Sequence, residues 1–243
     1  MFPMEFLRVL WRLFLSSRDK NSIEARNRAL YRMVSNLTND SKDHIDSRLL
    51  DVGCGSGELS KYFAFNFAEV VLLDISMNAL RKAKSSMPNS YCVCADAHFL
   101  PFRNDTFSRL HAFSLIEHLS HPKRFLREAS RVLKEEGILI VQIPNPNFLI
   151  ELHTGIILPF FIPRTVKDEI AKKAFPDLYV NWSLTGSILL RQLSKLFTKI
   201  KLYKYSYPED SVSRIVRPLF RIAKRLKILN KFPMGYIIIA WNT

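Results

Sequence analysis

The ten residues Leu49-Leu-Asp-Val-Gly-Cys-Gly-Ser-Gly-Glu58 carry the most chemical content in this 243-residue chain. An apolar run meets Asp51, and glycines follow at alternate positions, Gly53, Gly55 and Gly57. A buried strand ending in this way feeds a tight turn whose backbone passes close to a ligand before a helix opens. A Cβ there would strike the ligand or forbid positive φ angles. The spacing is G-x-G-x-G rather than the dinucleotide fingerprint G-x-G-x-x-G. Two more apolar runs, Glu69-Val-Val-Leu-Leu-Asp74 and Tyr91-Cys-Val-Cys-Ala-Asp96, also end in a carboxylate. In an open parallel sheet such ends line the ligand crevice. A carboxylate after the second strand can accept both hydroxyls of a ribose, and one after the third can reach the amine of an adenine edge. An ionised Asp offers only acceptors, which suits those donors. A single Asp at a strand end serves as a helix cap or turn residue. Three in order, with the glycine turn, suit an adenosine-type cofactor.

These residues need a scaffold, and the chain alternates strand and helix patterns to supply one. Strands are expected at 48–53, 69–74, 91–96, 109–114, 138–143, 199–205 and 236–241. Helices are expected at 1–17, 22–37, 57–65, 77–87, 122–133 and 185–197. Alternation of this kind implies a parallel sheet covered by helices on both faces. With 48% hydrophobic and 24% charged residues, the composition is that of a globular α/β protein able to bury a core.

Several segments together resemble the class I S-adenosylmethionine-dependent methyltransferases, the broad group that includes enzymes of ubiquinone and menaquinone biosynthesis. They are Leu50-Asp-Val-Gly-Cys-Gly-Ser-Gly57, Leu73-Asp-Ile-Ser76, Ala95-Asp-Ala97 with Leu100-Pro-Phe102, Ser114-Leu-Ile-Glu-His118, and Glu128-Ala-Ser-Arg-Val-Leu-Lys-Glu-Glu-Gly137 running into the fifth strand. The resemblance covers residues 45–146. It implies a Rossmann-like, seven-stranded, mostly parallel sheet whose last strand is antiparallel and inserted between the fifth and sixth. It implies S-adenosylmethionine as cofactor, the methionine end at the glycine turn, ribose on Asp74 and adenine on Asp96. Asp51, Ile75, Ala97 and Ser114 join Gly53, Gly55 and Gly57 as expected cofactor contacts. One departure is visible: the fourth strand opens Phe107-Ser108, where the family usually has Phe-Asp.

The organisation expected is one domain over 1–243. N-terminal helices occupy 1–44, the cofactor-binding core 45–146, and substrate-side insertions 147–182 and 206–235. Both insertions leave from the carboxyl edge of the sheet, where specificity resides on α/β scaffolds. Asn145-Pro146-Asn147-Phe148 is a superficial match to the Asn-Pro-Pro-Tyr box of nucleic-acid methyltransferases, but it follows the fifth strand instead of the fourth.

Residues 1–15 read as an amphipathic helix, too short for the roughly 20 residues that span a bilayer. The helix either packs on the domain or lies on a membrane surface. Cys54, Cys92 and Cys94 form no metal-binding pattern; a reducing, cytoplasmic setting fits them and no metal is expected. Charge is concentrated near the C-terminus. Residues 191–232 hold twelve Lys and Arg against Glu209 and Asp210, and so ten of the chain's net fourteen positive charges. Arg214, Arg217, Arg221, Lys224 and Arg225 recur at helical spacing, opposite Ile215, Val216, Leu219, Phe220, Ile222, Ala223, Leu226 and Leu229. A basic helix over 211–231 suits an anionic membrane surface, a polyanion, or simply a solvated face.

No general base stands out. His118, after the fourth strand, is the candidate, ahead of His98 and Glu117. Methyl transfer from a sulfonium asks mainly for alignment, with a base needed only to deprotonate some acceptors. The expected function is methylation of a small-molecule or lipid-linked acceptor, at a membrane surface if the basic helix meets lipid. Two other readings stay open: an RNA methyltransferase that uses the basic segment, and a non-catalytic binding protein that keeps the cofactor fold.

Overall fold

The computed structural model describes residues 20–38, 47–145, 169, 181, 184–207, 209, 217–231 and 233–242. The expected helix over 1–17 and nearly all of the insertion over 147–182 lie outside them. Seven strands form one sheet: β1 Arg48–Val52, β2 Glu69–Asp74, β3 Tyr91–Cys94, β4 Phe107–Phe113, β5 Leu133–Pro144, β6 Lys199–Tyr205 and β7 Gly235–Trp241. Their order is β3-β2-β1-β4-β5-β7-β6. Strands β1 to β5 pair in parallel, whereas β7 runs antiparallel to both β5 and β6. This is the arrangement the sequence predicts, including the place of the last strand.

The central strands are apolar on both faces because both faces are covered, as expected of parallel sheets. Leu49, Leu72, Ile140 and Ile239 pack with Leu30, Val34, Phe63 and Leu80. Those partners come from α1 Lys20–Thr38, α2 Ser60–Phe63 and α3 Met77–Ser86. On the other face, Leu50, Leu110, Leu139 and Ile238 pack with Phe125, Leu126, Leu189 and Leu193. These belong to α4 Pro122–Val132 and α5 Gly186–Leu193. In α4 the buried residues Phe125, Leu126, Ala129 and Val132 recur one helical turn apart, and Pro122 occupies the first turn, where no N–H is missed.

Three helix expectations need correction. The helix expected over 57–65 starts only at Ser60, and a 3₁₀ turn, Ala64–Asn66, finishes it. Gly57 holds φ at +75°, a left-handed conformation that cannot begin a right-handed helix. The helix expected over 185–197 ends at Leu193. The basic helix is not continuous either: α6 Arg217–Arg225 and α7 Ile228–Lys231 are separated at Lys227, whose φ is +55°. Residues 211–216 of that expectation lie outside the described ones. In addition, β5 begins five residues earlier than expected, at Leu133, with a register shift against β4 between Phe107 and Arg109. Ser108, where the family pattern has an acid, sits near the amino end of β4. Its hydroxyl accepts the Arg48 N–H at 3.0 Å and donates to the Arg48 carbonyl at 3.1 Å, bridging β4 to β1 away from the carboxyl edge.

Candidate functional site

Every β-to-α turn from β1 to β4 opens at the same carboxyl edge. After β1 the chain reverses through Gly53, Gly55 and Gly57 at φ +72°, +54° and +75°. The N–H groups of Gly53 and Cys54 donate to the Leu73 carbonyl at 2.7 and 3.1 Å, locking the turn to β2. A Cβ on Gly53 would fall 2.7 Å from Leu115 Cδ1, so that glycine is required by packing. A Cβ on Gly55 would meet nothing within 4 Å. Gly55 therefore faces open space, and its lack of a side chain leaves the cradle free for a ligand.

The carboxylates differ in their surroundings. Asp74 receives the Gly55 N–H on Oδ2 and the Ser76 N–H on Oδ1, both at 2.8 Å. Each oxygen keeps acceptor capacity for a further donor. Beside it Ile75 is 74% exposed, an apolar surface at the mouth of the cleft. Asp51 is buried and takes the Ser60 hydroxyl at 2.5 Å. Burial pushes its carboxyl up to about 7; the Ser60 bond opposes the shift and the negative charge of Asp74 adds to it. Asp96 is exposed, and its Oδ1 takes both the N–H of His98, at 2.8 Å, and the ring Nδ1, at 2.6 Å. The backbone bond, then the ring bond, hold this carboxyl below its usual range. His98 Nε2 accepts the N–H of His121 at 3.3 Å, so the proton of the neutral ring sits on Nδ1, facing Asp96.

Two residues expected at the cofactor have side chains engaged within the protein. Ala97 is 7% exposed and belongs to the core. Ser114, exposed and at φ +47°, donates its hydroxyl to Gln142 Oε1 at 2.9 Å. His118 ends a 3₁₀ turn, Ile116–His118, after β4, in which Ile116 and Glu117 are buried.

Sequence reasoning missed what Ser114 leads to. Gln142 Nε2 donates to the Tyr205 hydroxyl at 2.5 Å, and Tyr205 hydrogen-bonds Tyr207. A buried polar chain thus crosses the edge from β4 through β5 to β6. Burial first, then the Tyr207 charge, lifts the Tyr205 phenol well above its ordinary range, and Glu117 lifts both tyrosines further. Tyr205 is therefore a neutral donor and acceptor throughout the physiological range. A glutamine inside the apolar run Ile138-Leu-Ile-Val-Gln-Ile143 was the available signal.

The insertions are tied down at this end. Asn145 donates its N–H to Met234 O at 2.9 Å and its side-chain amide to Pro233 O at 2.8 Å. Met234 N–H reaches Tyr205 O at 3.0 Å, and Asn181 N–H reaches Glu117 O at 2.7 Å. The Asn145 amide is thereby used in a structural tie.

Residues 50–141 match the family described as a methyltransferase domain. A demethylmenaquinone methyltransferase of Renibacterium salmoninarum is 33% identical over 132 residues, 54% of this chain and 51% of that one. The mitochondrial arginine-hydroxylase NDUFAF5 of Danio rerio is 33% identical over 110 residues, 45% of this chain and 34% of that one. The crystal structure of a SAM-dependent methyltransferase from Archaeoglobus fulgidus superposes with a TM-score of 0.60 at 18% identity, covering 88% of this chain and 94% of that one. That likeness is one of fold. The chain spans 37%, 60% and 34% of the lengths of three further or overlapping curated relatives, so each match concerns only part of the relative.

Proposed function

We propose that residues 50–141, which match a methyltransferase domain, work as a class I S-adenosylmethionine-dependent methyltransferase, and that this protein methylates a small or lipid-linked acceptor at a membrane surface. The observation that carries the cofactor half of this reading is the open cradle at Gly55, framed by Asp51, Asp74 and the exposed Ile75. S-adenosylmethionine, when bound, supplies a methyl group already activated on a sulfonium. The chain has to hold both partners in line and keep water out. Backbone N–H groups of the glycine turn and an ionised Asp51 suit the methionine end. Asp74 offers acceptors to ribose hydroxyls, Ile75 an apolar wall to the adenine face, and Asp96 Oδ2 an acceptor to its amine. Across the edge, the exposed Ser114 hydroxyl, held by the buried Gln142 and Tyr205, offers the acceptor a neutral, pre-oriented oxygen. His118 is the nearest candidate in sequence for taking a proton from it.

The membrane half rests on α6 and α7. The apolar set of this segment does not form one buried face. Phe220 and Leu229 are buried, but Ile222, Leu226 and Ile228 are 54%, 65% and 43% exposed. They stand among the exposed cations Lys224, Arg225 and Lys227. Arg221 instead pairs with Glu209. Exposed aliphatic side chains beside cations suit a lipid interface, where the apolar groups enter below the phosphates; RNA offers them no such layer. Among the described residues no helix is long and apolar enough to cross a membrane.

Flotation with phosphatidylglycerol-containing vesicles tests this reading. Wild type should float with anionic vesicles and not with neutral ones. A Lys224→Gln, Arg225→Gln, Lys227→Gln variant should lose on the order of 3 kcal/mol, about 1 per cation. Ile222→Ser with Leu226→Ser should weaken vesicle binding and leave RNA binding unchanged. Preference for RNA over vesicles at matched ionic strength would replace lipid with RNA as the partner. Transfer of label from the cofactor methyl to material in a cell extract distinguishes methylation from both a hydroxylation and mere cofactor storage.

A further inference from the structure

A cavity lies apart from the glycine turn, on the α4–α5 side of the sheet. It measures about 780 Å³ and lies between α4 and α5, with Arg124, Arg127, Leu184, Ile188 and Gln192 in its walls. A second hollow of about 420 Å³ shares Lys123, Arg127, Ile188 and Gln192 with it and adds Arg191, Lys195 and Leu126. The two make one groove along the helix pair. Five cations line it: Lys123, Arg124, Arg127, Arg191 and Lys195. Among the described residues Glu128 is the single acid in either lining, and its carboxylate is turned to Arg131, at 2.7 Å, and to the Leu100 N–H, at 2.9 Å. Among the described residues none of the five cations is in an ion pair, although Arg124 lies 3.7 Å over the Phe99 ring. The same groove presents Leu184, Ile188 and Leu196. Gln192 lies in both hollows, and its buried Oε1 has no hydrogen-bond partner among the described residues.

Five cations gathered along one groove repel one another, an anion bound among them relieves that repulsion, and the aliphatic side chains beside them leave room for an apolar body. A buried amide oxygen without a donor costs stability that a ligand hydroxyl would recover. We propose that this groove binds an amphiphilic organic phosphate, a phosphate monoester or diphosphate carrying a hydrocarbon portion, at a place separate from the methyl-transfer cleft. Arg127 and Arg191 clamp the phosphate from the two helices, Lys123 and Lys195 add charge, and Ile188 with Leu184 receives the hydrocarbon.

Calorimetric titration of the full chain with n-octyl phosphate, below its micellar concentration, tests this. Saturable binding is expected, weaker by at least about tenfold in Arg127→Gln/Arg191→Gln, because two charge-assisted hydrogen bonds are removed. The charge-keeping pair Arg127→Lys/Arg191→Lys should fall between the two. Ile188→Ser should weaken octyl phosphate while inorganic phosphate binds as before. S-adenosylmethionine affinity should be unchanged in all three, which also reports that each variant is folded. Absence of saturable binding in wild type, or equal binding by the Gln pair, overturns the site. Equal affinity for inorganic and octyl phosphate overturns the amphiphile, and displacement of octyl phosphate by a short single-stranded RNA at matched ionic strength assigns the cations to RNA instead.

Discussion

Over β1 to β3 the carboxyl edge offers backbone N–H groups, three carboxylates and an open space at Gly55, whereas over β4 to β6 it offers a closed chain of neutral side chains, Ser114, Gln142 and Tyr205. The first half is made for one ligand whose shape is fixed. Main-chain atoms can serve because their positions follow from the turn itself, and acids supply the acceptors that hydroxyls and amines need. The second half is made of hydroxyls and an amide, groups that both donate and accept and so can be matched to many acceptors. On the proposed reading, cofactor and acceptor are met by different materials, and substitutions should separate them.

The largest effect should come from Asp74→Ala. It releases the Gly55 and Ser76 N–H groups and, on the proposed reading, removes the acceptor for two ribose hydroxyls. At about 1.5–3 kcal/mol per charged hydrogen bond, cofactor affinity should fall by tenfold or more in calorimetry. Unchanged affinity in a folded Asp74→Ala protein would remove Asp74 from the cofactor site. Gln142→Leu should do the reverse. It leaves the Ser114 and Tyr205 hydroxyls without their partner, costing about 1–3 kcal/mol of stability, so the melting temperature drops by several degrees while cofactor affinity holds. If affinity collapses with melting intact, the two halves are not separable.

The smallest effect is one of pH. The Asp51 carboxyl, held up to about 7 mainly by burial, is protonated in the free protein below that point. A ligand that needs the carboxylate must first displace the proton, so S-adenosylmethionine affinity should rise with pH up to about 7 and then level. The slope is at most about tenfold per pH unit. For stability the sign is opposite. Between the unfolded value near 3.8 and about 7 the native state binds the extra proton, so stability falls as pH rises through that window. Asp51→Asn should flatten both profiles in binding and thermal-melting series. A wild-type binding profile already flat between about pH 5.5 and about pH 7 would show that Asp51 is not part of the ligand contact.

The division between the halves also explains what the sequence revealed. Gly53, Gly55, Gly57, Asp74 and Asp96 lie within a few residues of their strand ends, so a local reading locates them; alternation implies the parallel sheet, and the family resemblance implies the place of the last strand. Ser114, Gln142 and Tyr205 meet only because β4, β5 and β6 are brought together across 28 and 63 residues of chain. No spacing marks such a set. The basic groove is likewise hidden, since Lys123 and Arg127 come from α4 whereas Arg191 and Lys195 come from the chain at and beyond α5. The break at Lys227 was not legible because a run of good helix formers gives no sign of a left-handed residue.

The knots at the roots of the two insertions, Asn145 to Pro233 and Met234 to Tyr205, have a consequence for how the chain can change. The insertion over 206–235 is closed at its base by the bond from Met234 N–H to Tyr205 O, which does not depend on what lies further along it. Lengthening a loop already closed costs only the slowly growing entropy of the extra chain, roughly 0.6 kcal/mol for each doubling. The sheet is thus indifferent to the size and composition of what it carries between those knots. New segments can be exchanged there as cassettes, while the register of β5, β6 and β7 stays where the root bonds set it.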